Sequence, residues 1–324
     1  MNFNALRHIF FSVLLIYPQV VRGRNNDNTI NIASVCVGLE PMNEIVLMIK
    51  SVLIFNKMDN ITFHLVVDVP CEVHIRTAFG GGLSPRIMPL RKLDCKTPST
   101  CHFSRSIIRP GVSFHFSHFN ADLIYKWAKL EPNLTTEHHS GIGGLTSTFD
   151  FKIFPNLTRV IAVDSDAIFL SDVKKLWILF QKWGPDTVFS MARNDLKGHG
   201  NGRIGDFNYG IRLVNYSKRL EFDDKFRVEK ILKLDPFVKR IYVAQIWYNS
   251  IISVYPEHFL LLPQKWNLQH CLSYNVNAKY WNEGILFSVG AIHLNCYGGN
   301  TTVKNKRFDY AIDFITEAPF EHCL

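Results

Sequence analysis

The chain has 324 residues, of which 47% are hydrophobic, 13% aromatic and 20% charged, with 19 Gly and 14 Pro. That composition supports a large packed core and excludes a disordered, collagen-like or coiled-coil protein. The 36 Lys and Arg against 28 Asp and Glu leave a net charge of +8, scattered without a dense basic cluster, which suits a small anionic ligand and argues against nucleic acid.

Arg7 and His8 precede an apolar run from Ile9 to Val21, interrupted by Pro18. The run is shorter than the about 20 residues that a bilayer core requires. With Val21-Arg22-Gly23 as a tolerable cleavage point, residues 1–23 read as a secretory signal or as a short uncleaved anchor. An anchor of that kind is the only membrane association expected. N-x-[ST] triplets at Asn60, Asn133, Asn156, Asn215 and Asn300 agree with a secretory-lumen location. The 7 cysteines form an odd set, so at least one thiol stays unpaired within the chain. Cys95 is expected to pair with Cys101 or Cys71, and Cys271 with Cys296 or Cys323. Cys36 lies inside an apolar run and reads as a buried free thiol. No C-x-x-C occurs, which argues against a structural zinc site.

Asn31 to Val37 is an apolar run closed by Gly38 and reads as a buried strand. Ile45, Met48, Ile49, Val52 and Leu53 then recur at helical spacing up to Lys57, and Ile61 to Val67 is a second strand. This strand-helix-strand order implies a parallel pair with a right-handed crossover. Cys71 to Pro110, rich in Gly, Pro, Arg and Cys, reads as irregular. Val112, Phe114 and Phe116 alternate with polar residues as a strand, followed by a short helix from Tyr125 to Leu130. Helical signal returns from Leu145 to Phe154, then a tight strand from Arg159 to Val163. An amphipathic helix from Val173 to Trp183 and a strand from Thr187 to Ala192 come next. Ile211 to Val214, a helix over Ser217 to Leu234 and the segment Ile241 to Val254 complete the second half. Without repeats or a clear linker, residues 30–324 read as one α/β domain: a mostly parallel sheet with helices on both faces.

Chemistry concentrates where Arg159 to Val163 runs into Asp164-Ser165-Asp166 and on to Ala167-Ile168-Phe169-Leu170. Ligands of open α/β sheets sit at the carboxyl ends of strands. Two carboxylates there can converge on one divalent ion, and hard oxygen donors suit Mn²⁺ or Mg²⁺, which in turn bridge a diphosphate. A D-x-D pair alone is more often a solvated turn; apolar strands on both sides favour the ligand reading. No G-x-G-x-x-G or G-x-x-x-x-G-K-[ST] is present.

Val160 to Leu170 with Asp172 and Leu176-Trp177 resembles the D-x-D block of glycosyltransferase family 8, nearest to the xylosyltransferase half of the LARGE-type enzymes and then to the glucoside xylosyltransferases. The likeness continues in order. Ser34 to Gly38, Ile49 to Val52 and Phe63 to Leu65 resemble the family's opening strand-helix-strand, and His139 to Leu145 its S-G-I-Y-G-L segment. Phe207-Asn208-Tyr209-Gly210 is similar to F-N-[TS]-G. Trp266-Asn267, Ile292 to Asn295 and Val303 to Lys306 resemble W-N, I-H-W-N and V-K-N-K. The likeness covers roughly residues 31–315 apart from 71–106.

The resemblance implies a GT-A, Rossmann-like fold, a UDP-sugar donor, Mn²⁺ and retention at the anomeric carbon. It makes Asp164, Asp166 and His293 the metal ligands. Ser165, Asn208, Trp266 and Asn267 would border the donor, Cys36 and Gly38 would lie under the uracil, and Lys304 or Lys306 would grip the diphosphate. Each has a plainer alternative: His293 a satisfied core histidine, the lysines a solvated pair, Asn208 a turn residue, Trp266 core. Gln245 would stand at the sugar face as a polar catalytic group.

Three departures qualify the enzyme reading. The family's D-Q-D or D-Q-G is Ala244-Gln245-Ile246 here, with Asn249 retained; Ser147 stands where a lysine is usual, and Tyr209 replaces a small Thr or Ser. A missing carboxylate near an acceptor hydroxyl removes a contribution of about 10²–10⁴-fold. The expected function is transfer of a sugar, xylose first, to a glycan or glycoprotein in the secretory pathway, with the Golgi as the expected compartment. The alternatives are a UDP-sugar- or glycan-binding protein without turnover, and a metal-dependent phosphohydrolase.

Overall fold

The computed structural model describes residues 29–79, 109–129, 131, 141–194, 207–235, 244–269, 289–294 and 306–318. Residues 1–23, Cys95, Cys101, Cys271, Cys296, Cys323, Asn133, Asn300 and Lys304 lie outside them, as does the side chain of Lys306.

The expected opening unit is β1 (Thr29–Cys36), α1 (Pro41–Phe55) and β2 (Asn60–Val67). Pro41 begins α1, a position where a missing N–H leaves no bond unmade. Ile45, Met48, Ile49, Val52 and Leu53 share one face of the helix and are fully buried against the sheet. β1 and β2 pair in parallel with Ile32 opposite Phe63.

After β2 the structure departs from expectation. Residues 69–79 form α2 (Val69–Phe79) rather than irregular chain. Asp68 caps it: one carboxylate oxygen accepts the Cys71 N–H at 3.0 Å, and the other accepts the Gly38 N–H at 2.7 Å. Pro70 sits in the first turn, where proline is tolerated. That turn places Cys71 against the end of β1, and Cys36 and Cys71 form a disulfide with a Cα–Cα distance of 5.9 Å. Cys36 is therefore not a free thiol, and Cys71 is not available to Cys95. Both cysteines are fully buried, so burial signalled a cross-link rather than a lone thiol.

The remaining strands are β3 (Val112–His118), β4 (Arg159–Val163), β5 (Ala167–Phe169), β6 (Phe189–Arg193), β7 (Phe207–Asn215), β8 (Phe259–Leu261), β9 (Leu268–Gln269) and β10 (Ala291–His293). Between them lie α3 (Ala121–Lys129), α4 (Gly141–Thr148), α5 (Asp150–Ile153) and α6 (Lys174–Trp177), with a 3-10 turn over Ile178–Lys182 in place of one helix to Trp183. The single helix expected over Ser217 to Leu234 is two, α7 (Tyr216–Glu221) and α8 (Val228–Leu234). α9 (Ala244–Val254) and α10 (Lys306–Glu317) follow.

The main sheet has seven strands in the order β3-β2-β1-β4-β7-β6-β8. β3, β2, β1 and β4 run parallel, β7 is antiparallel to β4 and β6, and β8 is parallel to β6. Alternation assigns each strand to two cores. Ile30, Ile32, Ile161 and Val163 pack with α1 and α2 on one face, whereas Ala33, Val160 and Ala162 pack with α4, α9 and Tyr216 of α7 on the other. A second sheet, β5-β10-β9, pairs β10 antiparallel to β5 and parallel to β9. The chain leaves the main sheet at Val163 and enters the small one at Ala167. Asp164-Ser165-Asp166 is the joint between them.

Candidate metal centre

Asp164 follows the last residue of β4, and its N–H donates to the Gly210 carbonyl on β7 at 2.8 Å. Asp166 precedes β5, and its carbonyl accepts the Leu294 N–H at 2.9 Å. His293, the last residue of β10, stands opposite Ala167. Sheet pairing thus delivers three side chains to one point. His293 Nε2 is 3.1 Å from Asp166 Oδ1 and 3.9 Å from Asp164 Oδ2. One ligand atom from each of the three lies within 4.8 Å of the others. Two carboxylate oxygens and one imidazole nitrogen suit a divalent ion of the Mn²⁺ or Mg²⁺ type.

The imidazole is oriented from behind. His293 is buried, and its Nδ1 lies 3.0 Å from Asn208 Oδ1. The same oxygen accepts from Asn267 Nδ2 at 2.8 Å and from the Gly210 N–H at 2.9 Å. An oxygen surrounded by donors requires the proton on Nδ1, so Nε2 is the nitrogen left to face the carboxylates. Gly210 makes room for the ring: a Cβ there would stand 2.1 Å from His293 Cε1 and 2.3 Å from Nδ1. A register shift between Met191 and Ala192 on β6 lies beside Asn208, whose Cα partner is Ala192.

The charges are interdependent. Burial pushes the Asp164 carboxyl up to about 6, against the pull of the His293 ring, and the neighbouring Asp166 adds to the rise. Burial acts on Asp166 in the same sense, but the charge and hydrogen bond of His293 outweigh it and hold that carboxyl below its ordinary value. Burial disfavours the His293 cation, yet Asp166, Asp164 and Glu44 together raise it. Glu44, in the first turn of α1, accepts from Ser165 Oγ at 3.3 Å, and burial with the Asp166 charge pushes it up to about 7. Glu44 was not singled out from the sequence; an acid in the first turn of the helix after strand one is also a common helix-start feature.

The other expected site residues are placed as follows. Ser165 points its hydroxyl at Glu44. Gly38 has φ +94° at the exposed carboxyl end of β1, with nothing within 4 Å of an added Cβ, so a ring can approach its backbone. Cys36 is sealed below in the disulfide. Gln245 on α9 accepts the Tyr209 N–H through Oε1 at 3.2 Å. Asn249, one turn on, clasps the Phe207 backbone, accepting its N–H at 2.8 Å and donating to its carbonyl at 3.1 Å. Trp266 is core, 1% exposed, its indole lying over Gly290 where a Cβ would approach Cε3 to 2.3 Å. Asn267 is fully buried and holds Asn208. Lys304 and the Lys306 side chain lie outside the described residues.

No protein-family model matches the chain. Among curated proteins it is 27% identical to xylosyl- and glucuronyltransferase LARGE1 of Homo sapiens over 299 residues, 87% of this chain and 34% of that protein. It is 26% identical to xylosyl- and glucuronyltransferase LARGE2s of Gallus gallus over 257 residues, 74% of this chain and 30% of that protein. The chain spans about a third of the length of these relatives. Among solved structures it is similar to mouse xyloside xylosyltransferase 1 in its apo form, with a TM-score of 0.61 and 16% identity over 85% of this chain and 100% of that one. It is also similar to the galactosyltransferase LgtC with donor and acceptor sugar analogues, with a TM-score of 0.57 and 14% identity over 91% of this chain and 100% of that one. The fold is that of the GT-A glycosyltransferases.

Proposed function

We propose that this chain is a retaining, divalent-metal-dependent glycosyltransferase that moves a sugar, xylose first among candidates, from a UDP-sugar to a glycan or glycoprotein in the secretory pathway. Residues 30–324 would form the catalytic domain, with residues 1–23 as signal or anchor and the Golgi as the site of action. The observation that carries the reading is the convergence of Asp164, Asp166 and His293, with Nδ1 of the ring held by Asn208 so that Nε2 is the nitrogen turned to the carboxylates.

Asp164, Asp166 and His293 would hold Mn²⁺, which when bound neutralises charge on the departing diphosphate. The open backbone at Gly38 gives the uracil a surface to lie on. Gln245, its oxygen engaged by the Tyr209 N–H, would offer its amide nitrogen to the sugar. Lys304 and Lys306 are proposed to complete the diphosphate grip.

One observation favours a second reading, a donor-binding protein without turnover. Ala244 and Ile246 supply no carboxylate beside Gln245, and the Gln245 oxygen is already engaged. A panel of UDP-sugars with and without Mn²⁺ separates the two. Metal-dependent hydrolysis or transfer of one donor is expected; binding with no turnover of any donor rejects the enzyme.

The charge pattern fixes a pH dependence. In the metal-free state Asp164 takes up a proton near pH 6, and His293 is protonated above its ordinary value. Metal must displace those protons, so its affinity rises with pH and weakens as pH falls through about 6. Mn²⁺ titrations at pH 5 and pH 7.5 should show the weaker binding at the lower pH. Equal affinities at both would remove these groups from the ligand set.

A further inference from the structure

Behind Asp164 lies a buried cation that the chemistry above does not use. Arg212 on β7 is 1% exposed. Its Nη2 donates to Asp150 Oδ2 at 2.7 Å and to the Ser147 carbonyl at 3.2 Å, while Nη1 donates to the Tyr209 carbonyl at 3.2 Å. The guanidinium lies 3.6 Å from the centroid of the Tyr209 ring, and the Tyr209 hydroxyl donates to the same Ser147 carbonyl at 2.7 Å. Ser147 and Tyr209, which depart from the resembled pattern at separate points of the sequence, therefore belong to one structural unit. Its only other neighbour of opposite charge among the described residues is Asp164, whose Oδ1 is 3.9 Å from Nη1.

A buried ion pair is a poor means of gaining stability, because apolar residues of similar volume usually do as well or better. Retaining one here asks for another use. The geometry of Asp164 supplies it: Oδ1 faces Arg212, and Oδ2 faces His293 Nε2 at 3.9 Å. We infer that Arg212 is a positioning residue that draws Oδ1 of Asp164 toward β7 and leaves Oδ2 alone to bind the cation. The inference rests on the proposed metal role of Asp164. A carboxylate held to one oxygen favours small ions with strict geometry, whereas a freely turning one can offer both oxygens and accommodate Ca²⁺. Arg212 therefore sets selectivity for Mn²⁺ over Ca²⁺ as well as affinity.

The test titrates the full chain with MnCl₂ and with CaCl₂ in the presence of UDP. Arg212→Met combined with Asp150→Leu removes both charges together, so the net charge behind the site is unchanged and no lone buried ion remains. The expected result is a folded protein whose Mn²⁺ Kd rises about tenfold, the effect typical of losing a ligand-orienting partner, with a smaller change for Ca²⁺. Arg212→Lys keeps the charge but loses the planar fork and the stacking, and should lower the Mn²⁺ over Ca²⁺ preference in the same direction. It decides the matter should the double variant not fold. A purely structural role would shift the melting temperature and leave the ratio of the two metal affinities alone; that outcome overturns the inference while the proposed function stands. A wild-type chain that binds no Mn²⁺ would instead bring down the metal reading, and this inference with it.

Discussion

Replacing Asp166 by asparagine is expected to reduce Mn²⁺-dependent turnover of the donor by about 10³-fold or more, since metal stabilisation of leaving-group charge amounts to several kcal/mol. The substitution keeps the shape of the side chain and removes its charge. The amide oxygen that replaces a carboxylate oxygen is a far weaker ligand for a hard cation. The backbone bond from Leu294 to the carbonyl of residue 166 does not depend on the side chain, so the pairing of β5 with β10 persists. The melting temperature of the variant should accordingly remain near that of the parent. A folded Asp166→Asn protein with undiminished metal-dependent activity would reject the assignment of this centre.

Gly210→Ala should have the second largest effect, on stability and on metal affinity together. The new Cβ would sit 2.1 Å from Cε1 and 2.6 Å from Nε2 of His293. That ring cannot swing aside freely, because Asn208 holds one of its nitrogens and Asp166 the other. Overpacking of this kind costs about 1–3 kcal/mol, and a misplaced ligand weakens metal binding by about 10–100-fold. Gly143→Ala is the control. In α4 an added Cβ there meets only the Val37 carbonyl at 3.9 Å, and its conformation is ordinary helix. This change should raise stability by about 0.4–1 kcal/mol. Wild-type Mn²⁺ affinity in a folded Gly210→Ala protein would show that the ring is not a ligand.

How far the sequence carried the structure follows from the range of the forces involved. β1, β2 and β4 were legible because parallel strands buried on both faces read as unbroken apolar runs. The Asp164-Ser165-Asp166 turn was legible for the same reason, since two such runs bracket it. His293 lies far from these acids in sequence, and only the resemblance linked them. Nothing in composition or spacing reveals that β10 pairs with the strand that opens after Asp166. The Cys36–Cys71 disulfide is hidden in the sequence because the Gly-, Pro- and Cys-rich stretch from Cys71 onward reads as irregular chain. Asp68 followed by Val69-Pro70 is a helix-start signal, and it would have turned Cys71 toward β1. Asn208 and Asn267 are expected to border the donor, and the structure adds a contact between them. Their side chains meet behind His293, a contact between residues 59 positions apart that local sequence does not encode. Arg212 falls inside the segment Ile211 to Val214 and Asp150 inside the helical stretch Leu145 to Phe154, and no local signal links the two.

The joint between the two sheets has a mechanical consequence. Asp164 is anchored to the seven-stranded sheet, while Asp166 and His293 belong to the three-stranded one, whose pairings are only two or three residues long. An ion gripped by all three would act as a rivet through two plates. Loading the rivet would stiffen the short strands of the small sheet, and drawing it would let them peel, so that occupancy and the integrity of that sheet would rise and fall together.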